Sequence, residues 1–162
     1  MPVTRWLDPD EQRTWRAFLG TYHLLQEALD RQLQRESGMP HAYYIVLAML
    51  SEAPGRTLRM SQLADRVLGS QSRLSHAVAR LQERGWVRRE RSGDDRRGQL
   101  AVLTDEGYAA LVAAAPGHVA AVRENLFDQL TRDQVDQLRA ICEAALARLD
   151  PDGSYRAGLV GR

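Results

Sequence analysis

The sequence predicts a mainly α-helical fold with one small β-hairpin, and three observations carry that prediction. Residues 60–84 hold two short runs of helical periodicity separated by Leu68-Gly69-Ser70. Two strand-like runs at 86–91 and 99–103, rich in β-branched and apolar residues, flank a charged seven-residue loop. Long apolar stripes at helical spacing fill the segments on either side, from Trp15 to Leu33 and from Val135 to Leu149.

In chain order, Leu7-Asp8-Pro9-Asp10-Glu11 opens the first helix, with Asp8 as cap, Pro9 at the first helical position and Glu11 placed as in a capping box. The helix runs to about Glu36 and stops at Ser37-Gly38. Its stripe comprises Trp15, Phe18, Leu19, Tyr22, Leu25, Leu29 and Leu33. At 1.5 Å per residue such a helix spans roughly 40 Å, more than one small core can cover. A partner helix from a second chain would complete it. Pro40 starts a helix that is apolar on nearly all sides (Tyr43, Tyr44, Ile45, Val46, Leu47, Met49, Leu50), which belongs at the centre of the fold. Ala53-Pro54-Gly55 is a turn, and Thr57-Leu58-Arg59 is a candidate third strand.

Ser61 reads as the cap of a helix that turns Leu63, Ala64 and Val67 inward. Gly69 tolerates positive φ and Ser70 can cap the next helix, which runs from about Gln71 to Arg84 and ends at Gly85. Its inward stripe is Leu74, Ala77, Val78 and Leu81. Beyond the hairpin, Thr104 caps a helix with Asp105 and Glu106 in its first turn, favourable to the dipole. Pro116-Gly117 is expected to kink or split that helix. Thr131-x-x-Gln134 forms a second capping box, before a last helix with Val135, Leu138, Ile141, Cys142, Ala145, Leu146 and Leu149 inward. No period survives in residues 150–162, which read as a disordered tail. The expected organisation is therefore a dimerisation helix over 1–36, a compact lobe over 40–107, further dimerisation helices over 108–149, and the tail.

Net charge is only +1, but its distribution is uneven. Residues 56–97 hold eleven arginines against five acids, net +6, and the remainder is net −5. A basic patch on one module suits a polyanionic partner. All 22 basic residues are arginine, so the count itself says little; its clustering says more. Cys142 is the single cysteine, which rules out an internal disulfide, and its place on an apolar stripe reads as a buried structural thiol. The longest apolar run, residues 42–50, is too short to span a bilayer, and the first residues lack a signal-peptide core, so a soluble cytoplasmic protein without membrane contact is expected.

The function follows from the polar face of the helix at 71–84. Gln71, Ser72, Arg73, Ser75, His76 and Arg80 gather donors and acceptors near its N-terminus, the end that a helix-turn-helix points into the major groove. Taken alone, this is also what an ordinary solvated face looks like. The neighbouring hairpin shifts the balance, because seven loop residues including Arg96 and Arg97 are more than a chain reversal needs. A projecting basic tip can reach a minor groove or a phosphate, with Asp95 bracing Arg97. Arg88, Arg89 and Arg91 either meet phosphates or solvate the strand.

The run Asp95-Arg96-Arg97-Gly98 followed by Val102-Leu103-Thr104-Asp105-x-Gly107 resembles the wing signature of the MarR (multiple antibiotic resistance regulator) family. Ser61-Gln62-Leu63-Ala64 and the passage Leu81-x-x-x-Gly85-x-Val87-x-Arg89 resemble its helix-turn-helix, and the likeness extends over residues 8–149. The resemblance implies a winged helix-turn-helix in which Asp95 and Arg97 are the wing pair. It also implies a homodimer, interlocked through its first and last helices, that grips a pseudo-palindromic site on double-stranded DNA. Repression relieved by a small phenolic or lipophilic effector is implied too, with Trp15, Tyr22, His23, His41, Tyr43, Tyr44 and His118 as candidate pocket residues, each of which also reads as core or surface filler. Other classes fit less well. Cys142 as a redox switch has only Arg139 as a cationic neighbour, and His23, His41, His76 and His118 show no metal-ligand spacing. No motif of an enzyme is present and no cofactor is implied. A winged helix used only for protein contacts remains the alternative.

Overall fold

The computed structural model describes residues 4–67, 71–91, 98–151, 153 and 155. The chain forms α1 (Pro9–Ser37), α2 (His41–Ser51), a short 3-10 turn (Pro54–Arg56), β1 (Thr57–Arg59), α3 (Met60–Val67), α4 (Gln71–Glu83), β2 (Val87–Arg91), β3 (Gln99–Leu103), α5 (Asp105–Asn125), a second 3-10 turn (Phe127–Gln129) and α6 (Arg132–Leu149). The fold is mainly helical with one antiparallel sheet, in the order β1-β3-β2. Val87 pairs with Leu103 and Arg91 with Gln99, while the expected third strand pairs Thr57 with Val102.

Local chemistry sets the helix ends. Asp8 accepts the Asp10 and Glu11 amides at 2.8 Å each, and Glu11 accepts the Asp8 amide in return. Thr104 and Thr131 cap α5 and α6, the latter through the expected box with Gln134. Ser61 does not cap α3. The strand β1 runs straight into Met60, and Gln62 Oε1 takes up the Arg59 amide at 3.1 Å instead. Nor does Pro116 split α5, which continues through it. Proline's missing amide leaves the carbonyl of Val112 without its helical partner. Val112 is 52% exposed, so water can serve that group.

Helix α2 lies at the centre, against α1, α3, α4, α5, β1 and β3. Its Val46, Leu47 and Leu50 join Leu33, Leu58, Leu63, Leu74, Val78, Leu81, Val87, Ala101, Leu103 and Leu111 in one continuous core. Gly107, in the first turn of α5, sits where the hairpin meets that core. A Cβ at this position would fall on the Trp86 carbonyl oxygen and come within 2.8 Å of Leu103 Cδ1. That carbonyl accepts the Thr104 amide at 3.1 Å, and Thr104 Oγ1 donates to Gly85 O at 2.7 Å.

The outer helices behave differently. Trp6, Trp15, Phe18 and Tyr22 of the N-terminal region are 82%, 51%, 58% and 59% exposed, and no residue of α6 is buried. Cys142, expected to be buried, is exposed. Among the described residues, Val135, Leu138 and Leu146 of its stripe are half-buried, while Ile141 and Leu149 are 66% and 78% exposed. No helix among the described residues is long and apolar enough to cross a membrane.

Where α1, α2 and α5 meet, the His41 backbone N–H donates to Asp30 Oδ1 at 2.8 Å. The His41 and His118 rings lie 5.4 Å apart, and Tyr44 stands 4.2 Å from His118. Burial holds both imidazoles below their ordinary 6.5, against the opposing charge of Asp30 at His41 and reinforced by His41 at His118. Burial also raises the Tyr44 phenol, as does Glu52. The histidines are thus neutral in the fold, while the unfolded chain takes up protons below about 6.5. Their stabilising contribution is complete above that value and is lost as pH falls through the folded values.

Thermal melts are therefore expected to show a Tm that drops between about pH 7.5 and pH 5.5. His118→Gln should shrink the drop, and an unchanged pH profile in that variant would contradict this account. Gly107→Ala is expected to cost about 2–3 kcal/mol through overpacking, lowering Tm by roughly 5–10 °C. A wild-type Tm would show that the hairpin can shift without strain.

Candidate nucleic-acid interface

Helix α4 divides its side chains between two tasks. Leu74, Val78 and Leu81 are 3%, 0% and 0% exposed, fastening the helix to α2 and the sheet. Ser72, Arg73, Ser75, His76 and Arg80 are all exposed on the outward side. Hydroxyls, an imidazole and guanidinium groups on one face, with the helix start beside them, match the donor and acceptor pattern of base edges and phosphates. Gln71 opens the helix, and its side chain lies outside the described residues. Arg80 donates to Glu83 Oε2 at 2.8 Å, and that hydrogen bond and charge push its pKa still higher. A phosphate approaching Arg80 must therefore compete with a carboxylate on the same helix. Ser61 is exposed in the first turn of α3.

The sheet fixes how α4 is presented. Arg89, half-buried on β2, donates from its guanidinium to the Ser75 carbonyl oxygen at 2.8 Å. Its Nε is buried without a hydrogen-bond partner among the described residues. Sequence reasoning grouped Arg89 with Arg88 and Arg91 as a phosphate or solvent group, and no periodicity could have singled it out, since the contact joins residues fourteen apart. Arg88 pairs instead with Glu90 on its own strand at 2.6 Å, and Arg91 is exposed. At the far end of α4, Arg84 donates to Gly38 O at 3.2 Å and lies over the Trp86 and Tyr43 rings at 4.9 and 5.8 Å. The helix is braced at both ends. The wing pair Asp95 and Arg97, with Arg96 between them, falls outside the described residues.

The candidate pocket residues do not converge. His41, Tyr44 and His118 gather at the α1–α2–α5 junction, where His118 Nδ1 is buried without a hydrogen-bond partner among the described residues. Tyr43 sits beneath Arg84. Trp15 stacks on Phe18 along the open side of α1, and His23 pairs with Glu27 at 3.0 Å. Tyr22 borders a separate cleft of about 470 Å³. Gln26, Ala42, Ile45 and Val46 of α1 and α2 form one wall, and Arg66, Val67, Arg73, Leu74 and Ala77 of α3 and α4 form the other. Tyr155, in the segment expected to be disordered, also lines it.

Residues 37–98 match the sequence profile of the MarR family. Sco3205, a MarR family transcriptional regulator from Streptomyces coelicolor whose crystal structure was solved in complex with DNA, is 52% identical with a TM-score of 0.87. That match covers 92% of this chain and 93% of that one. AbsC, another MarR family transcriptional regulator from Streptomyces coelicolor, is 39% identical with a TM-score of 0.83, covering 90% of this chain and 98% of that one. The transcriptional repressor MprA of Escherichia coli is 25% identical over 130 residues, 79% of this chain and 73% of that protein. At 52% identity to one member over nearly the full length of both, this chain belongs to the MarR family of DNA-binding transcriptional regulators.

Proposed function

We propose that two copies of this chain clamp a pseudo-palindromic duplex and repress transcription until a small aromatic molecule weakens the grip. The observation that carries the reading is the exposed face of α4, polar throughout while Leu74, Val78 and Leu81 on the opposite side are buried. Arg73, Ser75 and His76 read base edges in the major groove, Ser72 and Gln71 meet the backbone at the helix entry, and Arg80 reaches a phosphate. Ser61 of α3 contacts the opposite edge of the groove. Arg96 and Arg97, carried between β2 and β3 with Asp95 as brace, insert beside the minor groove. The DNA complex of Sco3205 supports this reading at 52% identity, and the naming of MprA as a repressor supports the sign of regulation.

The exposed apolar residues of α1 and α6 supply the dimer contact, each copy covering the other's stripe about a two-fold axis. Two recognition helices then lie about one turn of DNA apart. In this reading residues 1–36 and 108–149 are the dimerisation region, 40–107 the DNA-binding lobe, and the protein works in the cytoplasm without a catalytic role. The cleft beside Tyr22 lies between α1 and the DNA-binding helices, where a bound aromatic effector would alter their spacing.

An operator selected from random duplexes by repeated binding tests the assignment. Arg73→Ala and Arg97→Ala are each expected to lose about 1–3 kcal/mol of operator affinity in gel-shift titrations while remaining dimeric, with wild-type binding falling steeply as salt rises. If no selected duplex binds in a salt-sensitive way, the fold serves protein contacts instead. The double variant Phe18→Glu with Ile141→Glu should elute as a monomer in light-scattering chromatography and lose operator binding at least about tenfold. A dimer of unchanged mass would place the interface elsewhere.

A further inference from the structure

Helix α4 carries a single acid among its thirteen residues, and that acid is its last residue, Glu83. Arg80 Nη1 donates to Glu83 Oε2 at 2.8 Å. The two side chains are 66% and 61% exposed, so a polyanion can reach both. The pair does little for the fold. A carboxylate at a helix C-terminus meets the negative end of the dipole, which is the unfavourable arrangement. An arginine ahead of its acid is also the weaker order for an ion pair along a helix. At this exposure such a pair adds little to stability. Arg84, the next residue, is directed instead to Gly38 O and the Trp86 ring.

What the pair does change is the state of Arg80. The hydrogen bond from Glu83 and then its charge stabilise the guanidinium, and Tyr43 of α2 adds a smaller effect. A carboxylate and a phosphate offer the same thing to an arginine, namely anionic oxygens that accept its N–H groups. Only one of them can hold a given N–H at a time. Binding to DNA therefore exchanges one anionic acceptor for another at Arg80, with no proton transferred. Phosphate contacts are indifferent to sequence and supply a large share of a DNA-binding protein's affinity. We propose that Glu83 is a positioning residue for Arg80, an internal competitor with phosphate that lowers the protein's affinity for any duplex. It acts through one arginine, and it sets how much protein is needed to occupy DNA. The inference rests on the reading of Arg80 as a phosphate contact.

The probe is a fluorescein-labelled duplex of mixed sequence at low salt, which needs no selected operator because the contact is to phosphate. Fluorescence anisotropy gives Kd for the full chain as wild type, Glu83→Gln, Arg80→Gln and the double variant. Glu83→Gln is expected to bind about threefold to tenfold more tightly than the wild type, two such pairs being present in a dimer. Arg80→Gln alone should bind more weakly. In that background, adding Glu83→Gln should move Kd by less than about 1.5-fold, because the residue through which it acts is gone. Glu83→Gln should also melt within about 2 °C of the wild type. Wild-type affinity in Arg80→Gln, or no binding by any form, would overturn the phosphate reading and this inference with it. A weakened Arg80→Gln with no gain in Glu83→Gln would overturn this inference alone. So would an equal gain in both backgrounds, which would mean that the carboxylate merely repels DNA.

Discussion

Helix α2 has no face to give to water. With Val46, Leu47 and Leu50 buried and Tyr43, Tyr44, Ala48 and Met49 packed against the same core, it is covered from most directions. The other elements are arranged around that requirement. Helix α1 supplies Leu33, α3 supplies Leu63, and α4 supplies Leu74 and Val78, while β1 and β3 contribute Leu58 and Ala101 and α5 contributes Leu111. Burying each such side chain contributes about 1.5–3 kcal/mol, so the exposed face of α4 is held in position largely by the apolar contacts on its other side.

The polar interactions add direction to that burial. The Trp86 carbonyl, the Thr104 hydroxyl and the bare Cα of Gly107 lock the hairpin to the start of α5. In the same first turn of α5, Arg56 donates to Asp105 Oδ1 at 3.1 Å and lies 3.8 Å from the Tyr108 ring, tying the turn before β1 to that helix. Being exposed, that ion pair is worth little by itself. Its ring contact keeps the long side chain ordered. Arg89 then joins β2 to α4 through Ser75, so the hairpin and the outward helix share one frame.

Much of this was legible in the sequence, and the reason is range. Asp8, Thr104, Thr131, Gly38 and Gly85 act on backbone groups within one helical turn, so composition over a few residues suffices to identify them. The central placement of α2 followed from its lack of a polar face, and the outward face of α4 from its period. Contacts between residues far apart in sequence were not legible. The His41–His118 pair, the Arg89 brace and the placement of Tyr155 beside Tyr22 each depend on how distant elements pack together. Ser61 and Pro116 failed for a related reason, because strand continuity and solvent access overrode local preference. Cys142 was misplaced because a stripe predicts that something covers it without saying whose residues do so.

The division of labour along α4 has an evolutionary corollary. Since the side chains at positions 72, 73, 75, 76 and 80 contribute nothing to the buried interior, they can be exchanged at little expense in folding stability. Duplicated copies of such a gene can drift to new target sequences while retaining the same architecture, and the brace at Arg89 tolerates this because it grips a backbone carbonyl rather than a side chain. Target preference and foldability are thus inherited on separate sets of codons within a single thirteen-residue helix.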